Sequence, residues 1–218
     1  MLRRTALLAV GLALALPSVA AAATLQFNPP ITCIEPGKSY PLAGSGYTPE
    51  RAMTVAYEGF TTTFYPDSSG ALAGNDESTI TGPEYDSFTP KTLTFTATDN
   101  INPANTASVS VPTVKFGSNL PVKGKPNKVV TWEVAGFLNN APIYSHYLYE
   151  RKEKKTVRFG SGQGGCGTLS KRAVRFPIKK PKNFGTWEIR IDSNPKWTRS
   201  SESLAETSFN VAKPRRKH

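Results

Sequence analysis

Hydrophobic and polar residues alternate with a period of two through much of the chain, most sharply between residues 129 and 170. Val130, Trp132 and Val134 alternate with Thr131 and Glu133, which turns one face inward and the other to water. Gly136 breaks the run. Residues 143–149 form a second extended stretch rich in aromatic and β-branched side chains, and in a third Val157 and Phe159 alternate with Thr156 and Arg158. The glycines between Gly160 and Gly167 exclude regular structure, since each costs roughly 0.5–1 kcal/mol against Ala inside an element. That segment is predicted to be a loop presenting Cys166. No helical period emerges after residue 23.

The same reading predicts strands at 24–27, 39–43, 53–57, 61–65, 78–81, 92–98 and 106–111, and a second set at 114–116, 129–134, 143–149, 156–159, 173–178, 186–192 and 205–211. The two sets are alike in order and phase. In each, a strand ends at a Gly-aromatic pair, Gly46-Tyr47 and Gly136-Phe137, crosses a polar turn and re-enters as a strand. Leu93, Phe95 and Ala97 match Trp187, Ile189 and Ile191 at a constant offset of 94, and Val109 and Val111 match Phe209 and Val211 at an offset of 100. Seven short strands in about ninety to a hundred residues, twice over, predict an all-β chain of two tandem immunoglobulin-like β-sandwiches. Their expected bounds are 24–112 and 113–212, with a basic tail at 213–218.

Before them, Arg3 and Arg4 precede an apolar run at 6–16, and small residues follow up to Ala23. This is the pattern of a cleaved secretory signal over 1–23, too short to span a bilayer. The expected destination is the cell exterior or periplasm, with no transmembrane anchor.

The segments GSGYTPERAMTVAYEG and TLTFTATDNINPANTASVSV resemble strands of the immunoglobulin-like repeats of secreted bacterial surface proteins. PIYSHY, the Gly-Gly-Cys-Gly-Thr-Leu loop and F-G-T-W-E-I resemble a Cys-containing relative of such domains. The resemblance spans nearly all of the chain after residue 23. It implies the fold and adhesion, spacing or binding roles, and it transfers no catalytic residue.

Charge divides the halves. Residues 24–112 carry 3 Lys and Arg against 9 Asp and Glu, and residues 113–218 carry 22 against 7. A half at net +15 attracts anions over a Debye length of about 8 Å. With the apolar partners of each strand facing in, Lys154 and Arg158, Arg175 and Lys179, and Arg190 are predicted to point out and to form a cationic stripe on one sheet. Its expected partner is an anionic polymer of the cell envelope or matrix. Tyr144, out of phase with Tyr147 and Tyr149, and Trp197, in a loop, are the candidate contact aromatics. The other readings of the same charges are a structural spacer whose cations keep edges soluble, and an adhesin or inhibitor that takes a protein partner along a sheet edge.

Cys33 and Cys166 lie one per half, so in an oxidising compartment they are expected to bridge the halves. Two buried thiols and a bridge between chains are the alternatives. Catalysis finds no support: His146 has no nucleophile arrangement around it, the glycine-rich loop lacks the Lys and helix of a phosphate loop, and no metal or cofactor motif is present. The chain is read as non-enzymatic.

Overall fold

A computed structural model describes residues 22–121, 127–178, 183–201 and 203–212. The expected signal segment up to residue 21, the tail 213–218 and Lys179 lie outside these residues. Ala22 and Ala23 precede the first strand.

The first half runs β1 (Thr24–Phe27), β2 (Ser39–Ser45), β3 (Met53–Tyr57), β4 (Phe60–Phe64), β5 (Leu72–Ala73), a single 3-10 turn at Asp76–Ser78, β6 (Thr79–Thr81), β7 (Lys91–Asp99) and β8 (Thr106–Thr113). One sheet has the order β4-β3-β7-β8; in the other, β2 pairs with β1, β5 and β6. The second half runs β9 (Gly117–Asn119), β10 (Val129–Ala135), β11 (Pro142–Tyr149), β12 (Lys152–Ser161), β13 (Leu169–Val174), β14 (Gly185–Asp192) and β15 (Ala205–Val211). Its sheets are β13-β10-β9 and β12-β11-β14-β15.

The two halves therefore repeat one connectivity. In each, a sheet built on the first two strands faces a four-stranded sheet whose last two strands form a hairpin. All named strand pairs are antiparallel. This is the all-β, immunoglobulin-like arrangement that the alternation predicts.

The register corrects one detail of the repeat. Leu93 faces Val111 and Trp187 faces Phe209, so Val111 and Phe209 are counterparts. The offset of 100 slips the last strand by two residues, which keeps the phase and so left the alternation undisturbed.

Each half has its own core. Leu25, Phe27, Leu42, Met53, Val55, Leu93, Phe95 and Val111 pack together in the first. In the second, Trp132 lies 4.4 Å from Phe159 between ring centroids, and Phe176 lies 4.9 Å from Trp187 and 5.1 Å from Phe209. The Gly-aromatic pairs behave alike: Gly46 and Gly136 have φ of 86° and 99°, a backbone open mainly to glycine, and Tyr47 and Phe137 turn inward.

A third, small cluster joins the halves. Val114, Ala135, Cys33 and Cys166 are buried together, with Phe88, Phe116 and Leu138 against them. Residues 114–116, expected as a strand, are instead the connecting segment: Val114 is buried in this cluster, and the Lys115 N–H donates to the Ser87 carbonyl at 2.8 Å. Cys33 and Cys166 form a disulfide with a Cα–Cα distance of 4.9 Å. The Thr32 hydroxyl donates to the Gly165 carbonyl at 3.0 Å, and a Cβ on Gly165 would stand 2.3 Å from the Thr32 carbonyl oxygen. Glycine there allows the two backbones to touch. Pro112 sits within β8, an edge strand that tolerates its missing N–H.

Candidate functional site

β11 supplies the centre of the outer face of the second half's larger sheet. Ile143 and Tyr147 point to the core, which leaves Tyr144, His146 and Leu148 on the opposite face. Across the ladder Tyr144 stands between Arg158 and Asp192, His146 between Thr156 and Arg190, and Leu148 between Glu153 and Glu188. An outer face is ordinarily wet, yet His146 is 0% and Leu148 1% exposed. The cover is the loop joining β14 to β15, which folds back over the sheet. Its Trp197 N–H donates to Glu153 Oε2 at 3.0 Å, and the Trp197 ring stacks on the Arg190 guanidinium at 5.6 Å.

Beneath that loop lies a polar chain. His146 Nδ1 is 3.0 Å from Thr156 Oγ1, and Nε2 is 3.1 Å from Asp192 Oδ1. The Thr156 hydroxyl donates in turn to Glu153. The chain ties β11, β12 and β14 together. Because His146 is fully covered, it offers no nucleophile to a substrate. The sequence carried one cue to it: His146 shares the phase of Tyr144, away from the core residues, with a carboxylate or hydroxyl in each flanking strand. What covers it comes from a loop some fifty residues later, which periodicity does not show.

The predicted cations separate. Arg158 and Lys154 are exposed on β12. Arg190 lies in the same sheet but is held internally, with Nη2 3.2 Å from Glu206 and 3.5 Å from Glu188. Arg175 does not point out: it is 2% exposed, whereas Val174 is 38% exposed. The expected strand at 173–178 lies at 169–174, so Leu169 and Ala173 face in and the chain leaves the ladder just where Val174, Phe176 and Ile178 suggest alternation. β13 also belongs to the other sheet. A single stripe containing Arg175 is thus replaced by a cationic edge on β12. Tyr144 and Trp197 are both half-buried on the outer face.

That edge is denser than expected. Arg151, Lys152, Lys154, Lys155 and Arg158 are all exposed. The β11–β12 turn, Glu150 and Arg151 at φ 49° and 57°, has the left-handed pair of a tight hairpin. A register shift between Tyr147 and Leu148 leaves Lys154 without a cross-strand partner, so the alternation breaks and the side chains at 152–155 are all exposed. Glu153, the acid inside the run, turns its carboxylate to Trp197 and Thr156. Among the described residues, Arg151, Lys152, Lys154, Lys155 and Arg158 have no carboxylate partner.

Elsewhere, buried polar groups are structural. Burial alone would raise Asp99, but hydrogen bonds from Thr48, Asn102 and Ile101 outweigh it and hold the carboxyl at about 2. Burial pushes the Tyr47 hydroxyl up to about 12 while it donates to the Thr24 carbonyl at 2.7 Å. No group of three or more His, Cys, Asp or Glu suited to a metal ion occurs among the described residues. No helix among them is long and apolar enough to cross a membrane.

No protein-family model matches the chain, and no curated protein matches it. Among solved structures it is similar to a membrane-anchored protein of Corynebacterium diphtheriae, with TM-score 0.37 and 12% identity over 89% of this chain. It is also similar to a tetra-tandem repeat from the extending region of a large adhesion protein, with TM-score 0.28 and 13% identity over 86% of this chain. A third likeness is to the fibronectin(III)-like modules of Clostridium thermocellum CbhA, with TM-score 0.28 and 10% identity over 89% of this chain. The chain spans 60% of the first of these structures, 49% of the second and 99% of the third.

Proposed function

We propose that this is an exported, non-enzymatic surface-interaction protein whose second half binds an anionic polymer of the cell envelope or matrix along β12. The observation behind this reading is the row of five exposed, carboxylate-free cations between Arg151 and Arg158, with the intervening Glu153 turned away from them. Charged side chains, lysine above all, also keep an edge strand from pairing with another chain. Five on one edge, spread over roughly 20 Å at ~3.3 Å per residue, match a linear array of negative charges. The acidic first half adds no cations of that density and serves as the partner module, held at a fixed junction by the disulfide.

The test is equilibrium binding of the whole chain to acidic glycans, phosphate-linked wall polymers and anionic vesicles over a salt series. Saturable binding that distinguishes polymers of equal charge density supports the reading. Binding that follows charge density alone, or none at physiological salt, refutes it and favours a spacer, a role that the cross-linked junction also suits.

A further inference from the structure

Each half ends its third-from-edge strand on a buried aspartate, Asp99 on β7 and Asp192 on β14, and the two are satisfied differently. In the first half the residue after Gly46-Tyr47 is Thr48. Its N–H and hydroxyl both donate to Asp99 Oδ2 at 2.6 Å, tying the β2–β3 turn to the end of β7. In the second half the residue after Gly136-Phe137 is Leu138, which has no hydroxyl. Asp192 Oδ1 accepts from His146 and from the Asn194 N–H at 2.7 Å, while Oδ2 has no donor among the described residues. Between that turn and the β14–β15 loop lies a cleft of about 270 Å³, lined by Phe137, Leu138, Ala141, Asp192, Ser203 and Leu204 among others. Ser203 Oγ is likewise buried with no partner among the described residues. Buried polar atoms are ordinarily partnered, so two orphan atoms in residues that line one cleft call for a partner.

We propose that this cleft is a binding site for a neutral, hydroxyl-bearing unit the size of one sugar ring. The chemistry selects that class. Asp192 Oδ2 accepts, so the ligand brings a donor; the same carboxylate repels an anion; and a half at net +15 disfavours a cation. A neutral hydroxyl satisfies all three conditions. Phe137, Leu138, Ala141 and Leu204 offer apolar surface to the C–H face of a ring, and the volume sits just below the ~300 Å³ at which small-molecule pockets begin. Both orphan atoms are themselves buried, so a ligand in the cleft reaches them only with a local shift of the segment that carries Ser203. The described part of that loop is held by hydrogen bonds from the Trp197 N–H to Glu153 and from the Leu204 N–H to the Ile191 carbonyl. The site shares no residue with the β12 row and stands independently of the polymer reading.

The test is an amide chemical-shift titration of the whole chain with neutral cello-, xylo-, manno- and chito-oligosaccharides, with lysine amide as the cationic and glucuronate as the anionic comparison. Saturable shifts at Leu138, Ser193 and Leu204 with at least one neutral oligosaccharide are expected. Ser203→Ala, which removes one of the two orphan groups, and Leu138→Trp, which fills the cleft, are each expected to weaken binding about tenfold, the scale of one hydrogen bond. Asp192→Asn weakens it too, but it also disturbs the His146 tie, so the other two variants decide. The proposal is overturned if no neutral oligosaccharide shifts these amides, if lysine amide or glucuronate alone does so, or if Leu138→Trp binds as well as the native chain.

Discussion

Cutting the bridge between the halves gives a prediction with a worked magnitude. Cys33 and Cys166 are separated by 133 residues, and both lie in a cluster that neither main core shares. In the chain-entropy model the bridge removes about 5 kcal/mol of unfolded-state freedom when both halves unfold. If only the second half unfolds, Cys33 stays anchored beside Thr113 through the Ile34–Thr113 bridge. The closed loop then shrinks to residues 113–166, and the model gives about 4 kcal/mol. The double variant Cys33→Ala/Cys166→Ala should therefore lose about 4–5 kcal/mol in denaturant unfolding. For a half of this size that lowers the midpoint of its calorimetric transition by roughly 15–30 °C. Losing the two buried sulfurs from packing accounts for only about 2 kcal/mol. A loss of that size or smaller would refute the view that the bridge restrains the halves as one unit.

Other consequences follow from particular groups. Asp99 is held at about 2 against an ordinary 3.8, so the unfolded chain takes up the proton first. Its stabilisation, at most about 2.5 kcal/mol, is present above about pH 4 and is lost as the pH falls from about 4 towards 2. Asp99→Asn should lose less stability than the native chain between pH 6 and pH 2.5 in urea titrations, and an identical loss would contradict the assignment. Arg175→Glu, which puts a carboxylate where a guanidinium is packed at 2% exposure, should destabilise by about 3–5 kcal/mol. Arg158→Glu should stay within about 0.5 kcal/mol of the native chain, and equal urea midpoints for the two variants would overturn their separation into buried and exposed. Trp187→Ala, removing a ring stacked on Phe176 in the second core, should cost about 3–5 kcal/mol and unfold that half first on a thermal ramp. A cost below about 1 kcal/mol would show that the second core does not depend on this ring.

Much of this architecture was legible in the chain because it rests on local alternation. Leu93, Phe95 and Ala97, and Trp187, Ile189 and Ile191, face the two cores as their period of two requires, and the Gly-aromatic pairs mark the same turn in both halves. The pairing of Cys33 with Cys166 was the expectation favoured for one cysteine per half in a chain read as exported, and the disulfide bears it out. Arg175 was misread because Val174, Phe176 and Ile178 alternate convincingly after the strand has ended; only cross-strand pairing, such as Val130 with Ala173, fixes where β13 stops. The burial of His146 and the internal pairing of Arg190 with Glu206 depend on a loop return and on a neighbouring strand, both distant in sequence. The full strength of the β12 edge was hidden by a register shift that sequence periodicity does not encode.

Relocating charge at constant total tests the central claim most directly. Lys154→Glu/Arg158→Glu on β12 and Lys128→Glu/Arg172→Glu, at exposed positions on and beside the other sheet, change the net charge equally. Affinity of the whole chain for one acidic wall polymer is measured for both at physiological salt. The β12 row predicts a loss of at least about tenfold, or 1.4 kcal/mol, for the first pair and a several-fold smaller loss for the second. Equal losses would show that the chain responds to total charge and that β12 is an ordinary solvated edge.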